Sequence, residues 1–329
     1  MSNATSLNMI QAINLALDDA MAANQEVIVL GEDVADREEG GVIGVTKGLS
    51  SKYGDSRVRS TPIAEQAIIG AAIGASLVGM RPVAEIMLMN FTTVAMDMIV
   101  NHAAKLRFMS GGQTHVPITI RTMTGAGFSV GGQHSDFLEA WFAHTAGIKV
   151  VIPSTPADAY GLMLSCIEDA DPCLFVECMP LYWTPGPAPE RGVKIPLGKA
   201  KVVREGSDVT VISYSKQVHE AKVVAEKLAK EGISVEVVDL RTISPLDTET
   251  VLASVAKTGR AVVVHEATRN FGVGAEVSSR IHEALFSQLR APVGRVGAAF
   301  CAVPFSKPLE DAFLPSLADI EAAIRATLD

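Results

Sequence analysis

The chain has 329 residues, 48% of them hydrophobic, and a formal net charge of −9. That length suits about two domains of roughly 100–200 residues each, and the hydrophobic content supports large cores. With no run of Lys and Arg, the acidic balance argues against a nucleic-acid partner, whose footprint is a basic cluster.

The start, MSNATSLNMIQAINLALDDAM, has no basic stretch leading into an apolar core with a cleavage site, and no Arg-rich amphipathic presequence. A cytoplasmic location is the simplest expectation, although a processed organelle protein would look the same. Met1 to Ala4 read equally as a native start or as added residues. VIVLGEDV (27–34) is a buried strand running into a loop, because its apolar run ends in Gly and acids. The stretch from Arg37 to Asp55 is rich in glycine and charge and reads as a functional loop.

Glu65 opens the next segment and is followed by fifteen uncharged residues before Arg81. An acid in the first turn of a helix is favoured by the dipole alone. Thr61 and Pro62 fit a capping residue and a helix-start proline. Gly70, Gly74 and Gly79 weaken an isolated helix but let another backbone approach. The segment is too short and interrupted for a membrane span, so a buried helix at a subunit or domain contact is expected, with Glu65 at its dry end.

RPVAEIML (81–88) reads as a strand, residues 92–109 as a helix and VPITIRTM (116–123) as a strand. TGAGFSVGGQHSD (124–136) is a glycine-rich loop, and residues 148–178 alternate strand, capped helix and strand. Strands separated by helices imply a parallel sheet covered on both faces. Between Pro180 and Pro196 stand five prolines in seventeen residues, which marks a linker. The α/β pattern then restarts with roughly three strands. The expected division is a first domain over 1–180, a linker over 181–200 and a second, smaller α/β domain over 201–329.

Cys166, Cys173, Cys178 and Cys301 form no CxxC pair and read as buried thiols without zinc or disulfide roles. FGVGAEV (271–277) offers only GxG, a weak match to a dinucleotide fingerprint, and Gly272 and Gly274 fit a tight turn onto a helix. GxSxG is absent. His134, among Gly131, Gly132, Gln133, Ser135 and Asp136, is either a solvated loop residue or, with Glu65, part of an acid/base set.

LGEDV, TPIAEQ, RPVAEIMLMNF, FMSGGQ, GGQHSD, PSTPADAYGL and VVDLRTISPLD occur in one order between Leu30 and Asp247, and the likeness they carry extends over about residues 6–325. That series resembles the beta subunits of thiamine-diphosphate-dependent 2-oxo acid dehydrogenases, the decarboxylating first component of pyruvate, branched-chain or acetoin dehydrogenase complexes. GGVIGVTKGL and IRTMTGAGF resemble the acetoin type most. The resemblance implies a pyrimidine-binding domain with a helix-covered parallel sheet and a smaller α/β domain of the transketolase C-terminal type.

The same resemblance implies the site. Glu65 would hydrogen-bond the pyrimidine ring nitrogen of thiamine diphosphate, and a carboxylate that shares a proton there calls for a dry setting. Met87 and Phe91 would pack the aminopyrimidine ring. Glu32 would lie near it, in an acidic path joining paired sites, and His134 would face the substrate and the incoming lipoyl group. The carbonyls around Ile118 and the loop with Cys166, Asp169 and Asp171 match a potassium site. The chain has no GDG motif for holding the diphosphate through Mg²⁺. An alpha subunit would therefore supply that half, in a heterotetramer of two alpha and two beta chains. The cofactor would carry the chemistry while protein groups orient it, and a lipoyl domain of an acyltransferase component would accept the acyl unit from a 2-oxo acid or acetoin. No membrane partner is expected.

Two departures stand out. Phe300, Cys301 and Ala302 replace the family's Asp-x-Pro, which bears on docking to the usual acyltransferase core, and Trp183 stands where Gly or Arg is common. The rival readings are half of a split transketolase-like, ketol-transferring enzyme, which shares the two-domain half and the Glu, and a non-catalytic assembly subunit.

Overall fold

The computed structural model describes residues 6–329, so Met1 to Ala4 lie outside the described residues. The chain divides into two compact units, one made of residues 1–124 and 141–197 and the other of residues 125–140 and 198–329.

The first unit is built on the strands Val27–Glu32 (β1), Val58–Thr61 (β2), Arg81–Leu88 (β3), Thr119–Thr124 (β4), Lys149–Val151 (β5) and Cys173–Cys178 (β6). They pair in the order β5-β6-β4-β3-β1-β2, and each of these pairings is parallel. β1, β4 and β6 are buried at every position, as strands with both faces covered must be. Helices α1 (Met9–Ala23), α2 (Glu65–Leu77) and α3 (Pro156–Glu168) provide the cover. Asn8 and Gln11 form a capping box at the start of α1. Thr155 caps α3 by accepting from the Asp158 N–H, with Pro156 at the first helical position.

Several expectations are corrected here. Thr61 does not cap α2: it closes β2, its Oγ1 donates to the Pro62 carbonyl, and the helix begins at Glu65 with Ala64 as the cap position. The helix expected over 92–109 breaks into a 3₁₀ turn at Met89–Thr93, a π segment at Met98–Ala103 and one turn at Leu106–Met109. Thr92 contributes to the first break, since its hydroxyl donates to the Met89 carbonyl at 2.5 Å and closes a local turn. Gly31 lies inside β1, because a Cβ there would stand 2.9 Å from both the Cβ and the carbonyl oxygen of Glu85 on neighbouring β3.

The second unit carries a five-stranded sheet. Its strands are Lys201–Arg204 (β7), Val209–Ser213 (β8), Val235–Asp239 (β9), Ala261–Thr268 (β10) and Gly294–Ala298 (β11), in the order β11-β10-β8-β9-β7. β7 runs antiparallel to β9 and the remaining pairs are parallel. The sequence suggested about three strands here. β7 is a short, half-buried edge, and β11 contains Gly294 and Gly297, so neither shows the apolar run of a central strand. Helices α4 (Lys216–Ala229), α5 (Thr248–Thr258), α6 (Val273–Leu285), α7 (Lys307–Phe313) and α8 (Leu317–Arg325) complete the unit. Its core joins Val209, Val211 and Val262 of the sheet to Leu228 of α4 and to Ile320 and Ile324 of α8. No helix among the described residues is long and apolar enough to cross a membrane.

Candidate functional site

In an open parallel sheet, ligands gather at the carboxyl ends of the strands. In the first unit Glu32 ends β1, in register with Thr61 of β2, and Glu65 begins α2 four residues after that strand. Both residues are only 9% exposed, and Glu32 Oε1 is buried with no hydrogen-bond partner among the described residues. Burial pushes the Glu32 carboxyl above the usual carboxylate range, and the charges of Glu65, Asp33 and Glu85 push it the same way. An unmatched acidic oxygen beside a second acid is costly unless a donor meets it. That orphan fits a ligand carrying a polar nitrogen.

Met87, half-buried on β3, lines a narrow cleft with Gly41, Val42, Glu85, Arg121 and Tyr182. The cleft has a cavity volume of about 10 Å³, room for one water. Phe91 is half-buried in the 3₁₀ turn that follows β3 and is not among the lining residues described.

Behind the cleft stands a charge cluster that sequence reasoning missed. Arg121, 2% exposed, donates to Glu177 at 2.7 and 2.9 Å and to Glu85 at 2.5 Å, and the Tyr182 hydroxyl donates to Glu177 at 2.7 Å. Glu85 and Arg121 are register partners across β3 and β4. Burial alone would lower the Arg121 proton affinity, but Glu177 and Glu85 outweigh it and hold it above its ordinary value. Burial raises the Glu85 carboxyl, and Arg121 only partly offsets this. A signal was present: Arg121 and Glu177 are each the lone charge of a fully buried strand, and Glu85 is the one charge within the apolar part of β3, after Arg81 at its start.

The residues matched to potassium sit together but are already engaged. Asp169 accepts from Lys149 at 2.5 Å, and Asp171 accepts from Arg107 at 2.6 Å. The carbonyls of Ile167 and Asp169 accept from Arg81 Nη1, that of Cys166 from the Asp169 N–H, and that of Ile118 from the Cys173 N–H. The carboxylates are thus neutralised by side chains, which leaves carbonyl oxygens, each with a second lone pair, to meet a monovalent ion. Among the described residues no group of His, Cys, Asp and Glu side chains is arranged to hold a metal. Burial, and next the neighbouring Cys173, pushes the Cys166 thiol well up, which makes it inert. Cys301, expected to be buried, is exposed, in the chain leaving β11.

In the second unit His134 is half-buried in a single helical turn, Gly132–Ser135, at the end of the glycine-rich loop. Buried carboxylates hold that loop by its backbone. The Ala126 N–H donates to Glu266 at 2.7 Å, and the Gly127 N–H donates to Glu310 at 2.7 Å. Tyr214 donates to the buried Glu139 at 2.6 Å, four residues beyond Ser135. Gly272 and Gly274 leave room for the ring of His265, which a Cβ on either would meet at 2.7 Å. They serve packing against that histidine, whose protonation burial lowers to about 4.

The description "Transketolase, pyrimidine binding domain" matches residues 5–183, and "Transketolase, C-terminal domain" matches residues 198–320. The chain is similar to the acetoin:2,6-dichlorophenolindophenol oxidoreductase subunit beta of Cupriavidus necator, at 47% identity over 99% of this chain and 98% of the relative. It is also similar to the pyruvate dehydrogenase E1 component subunit beta of Staphylococcus epidermidis, at 45% identity over 98% and 99% of the two chains. Among solved structures, a split gene transketolase described as an inactive beta4 tetramer superposes with a TM-score of 0.76 over 98% of each chain. At 22% identity that likeness speaks for the fold alone.

Proposed function

From the premise that this chain belongs to the family of beta subunits of 2-oxo acid dehydrogenase first components, we propose that it works with an alpha subunit on a 2-oxo acid or acetoin. It passes the acyl unit to a lipoyl group, at a site for thiamine diphosphate that the two chains share. The observation that carries this reading is the buried acidic pair, with Glu65 at the start of α2 beside a Glu32 oxygen that lacks a partner among the described residues.

When bound, thiamine diphosphate supplies an electron sink that the protein's side chains cannot offer. Glu65 holds the proton at the pyrimidine ring nitrogen, and its helix-end position in a dry setting keeps competing water away. Glu32 would lie next to it, its own carboxyl raised by burial and by the charges of Glu65, Asp33 and Glu85. Met87 and Phe91 would pack against the ring. His134 would face the substrate and the lipoyl acceptor. Mg²⁺ belongs mainly to the alpha subunit, and any potassium ion is structural, held by carbonyls of the Ile118 and Asp169 region rather than by carboxylates.

Glu65→Gln keeps the shape of the side chain and removes its acid function. In the assembled complex with the alpha subunit this change abolishes turnover while leaving assembly intact, read by lipoyl reduction and by size-exclusion chromatography. A fully active Gln variant ends the cofactor reading. Ketol transfer with no lipoyl acceptor in the wild-type complex assigns the chain to the transketolase type instead.

A further inference from the structure

Glu310 is completely buried, yet the cation paired with it among the described residues, Lys307, is distant and half in solvent: its Nζ is 3.9 Å away and its side chain is 54% exposed. Its carboxylate instead takes backbone N–H groups from the glycine-rich loop, Gly127 at 2.7 Å and Ser129 at 3.1 and 3.2 Å. This clamp holds an otherwise unfavourable backbone: Ser129 has φ 57° and Gly127 has φ 126°.

The same short helix region closes on the loop a second time. Gly131, with φ 76°, leaves the space taken by the Phe305 ring, which a Cβ would meet at 2.4 Å. Next to it Gly132 packs against Ala302 and Val303. Ala126 at the loop's start, Val303 and Phe313 share one buried cluster with Ala298. Segment 302–313 therefore grips the loop at residues 127, 129, 131 and 132, the last of these opening the turn that carries His134.

We infer that Glu310 is a positioning residue for His134, fixing the imidazole through the loop backbone, with Phe305 as the apolar half of the same clamp. The inference rests on the role proposed above for His134. It also gives the departure at Phe300 to Ala302 a place: Ala302 touches the loop of His134 within this unit.

The test uses the full chain and its complex with the alpha subunit. In the full chain, Glu310→Gln speeds amide hydrogen exchange of residues 126–135 by about tenfold or more and leaves β8 and β9 unchanged. In the complex it slows lipoyl reduction without changing thiamine diphosphate affinity, and combining it with His134→Ala adds no further loss, as expected of residues acting as one unit. Unchanged exchange in the loop overturns the inference. So does a rate loss that adds in full to that of His134→Ala, because Glu310 would then act independently of the histidine. If Glu310→Gln fails to fold, Phe305→Ala, a change at an exposed ring, is read in the same way. A wild-type complex that turns over no 2-oxo acid and no acetoin defeats the proposed function, while the exchange arm still decides whether Glu310 fixes the loop.

Discussion

Glu266 shows how one side chain couples loop geometry to pH. It is 3% exposed and accepts from the Ala126 N–H, and burial pushes its carboxyl up to about 7. That hydrogen bond and the charge of Lys216 pull it back down, while Glu220 adds to the rise. Its folded-state proton affinity is above the ordinary value, so the group favours the fold when protonated. That contribution is complete below the ordinary carboxylate range and is lost as pH rises through about 7. The full swing is at most about 3 kcal/mol. Glu266→Gln keeps an acceptor for the Ala126 N–H and cannot ionise. Thermal unfolding of both proteins at pH 5 and pH 8 should therefore show the Gln variant gaining on the wild type at the higher pH. A difference that stays constant across that range places the titration elsewhere.

At the scale of elements, the central strands were legible, whereas the edge strands β7 and β11 and the breaks in the segment after β3 were not. RPVAEIML folds as a strand over its whole length, because an apolar run flanked by helical patterns has one way to bury both faces. A capped helix within residues 148–178 was expected as well, and the structure places its cap at Thr155 with Pro156 at the first helical position. The helix expected at 92–109 failed because local side-chain hydrogen bonds compete with the helical ladder, and a periodicity count does not register them. The packing of residues 125–140 with the second unit depends on carboxylates some 140 to 183 positions away, and no local pattern encodes such a partner. Of the candidate site, Glu65 was visible as a lone acid before a long uncharged run, whereas Arg121, Glu85 and Glu177 became a cluster only once the strand register was known. Gly31 carries a prediction at this scale. A methyl group there meets the Cβ and the carbonyl oxygen of Glu85 on β3, both at 2.9 Å, and rotating the Glu85 side chain moves neither atom away. Gly31→Ala should lower stability by about 1–3 kcal/mol, the range for overpacking, seen as a lower urea midpoint. An unchanged midpoint means that β1 and β3 can separate without cost.

For the molecule as a whole, the decisive question is how much of the cofactor site this chain owns. The first unit leaves large apolar side chains in solvent, with Ile63 at 84%, Val78 at 81% and Phe108 at 90% exposure. Ile63 and Val78 flank α2, whose outward face shows Ala67, Ala71 and Gly74. Single exposed apolar residues are ordinary, but a set bracketing the helix that begins with Glu65 is what a shared site requires. The residues proposed to meet the pyrimidine, Glu32, Glu65, Met87 and Phe91, all belong to this unit, and the chain has no GDG motif for the diphosphate. Binding energy for thiamine diphosphate should thus be divided between two chains, and neither alone should hold it tightly. In a titration with thiamine diphosphate and Mg²⁺, the folded chain, its alpha partner and their co-purified complex should separate cleanly, with tight binding by the complex only. Equally tight binding by this chain alone would remove the shared-site argument. Binding by none of the three, with the complex folded, would leave a subunit that keeps the fold and has given up the chemistry.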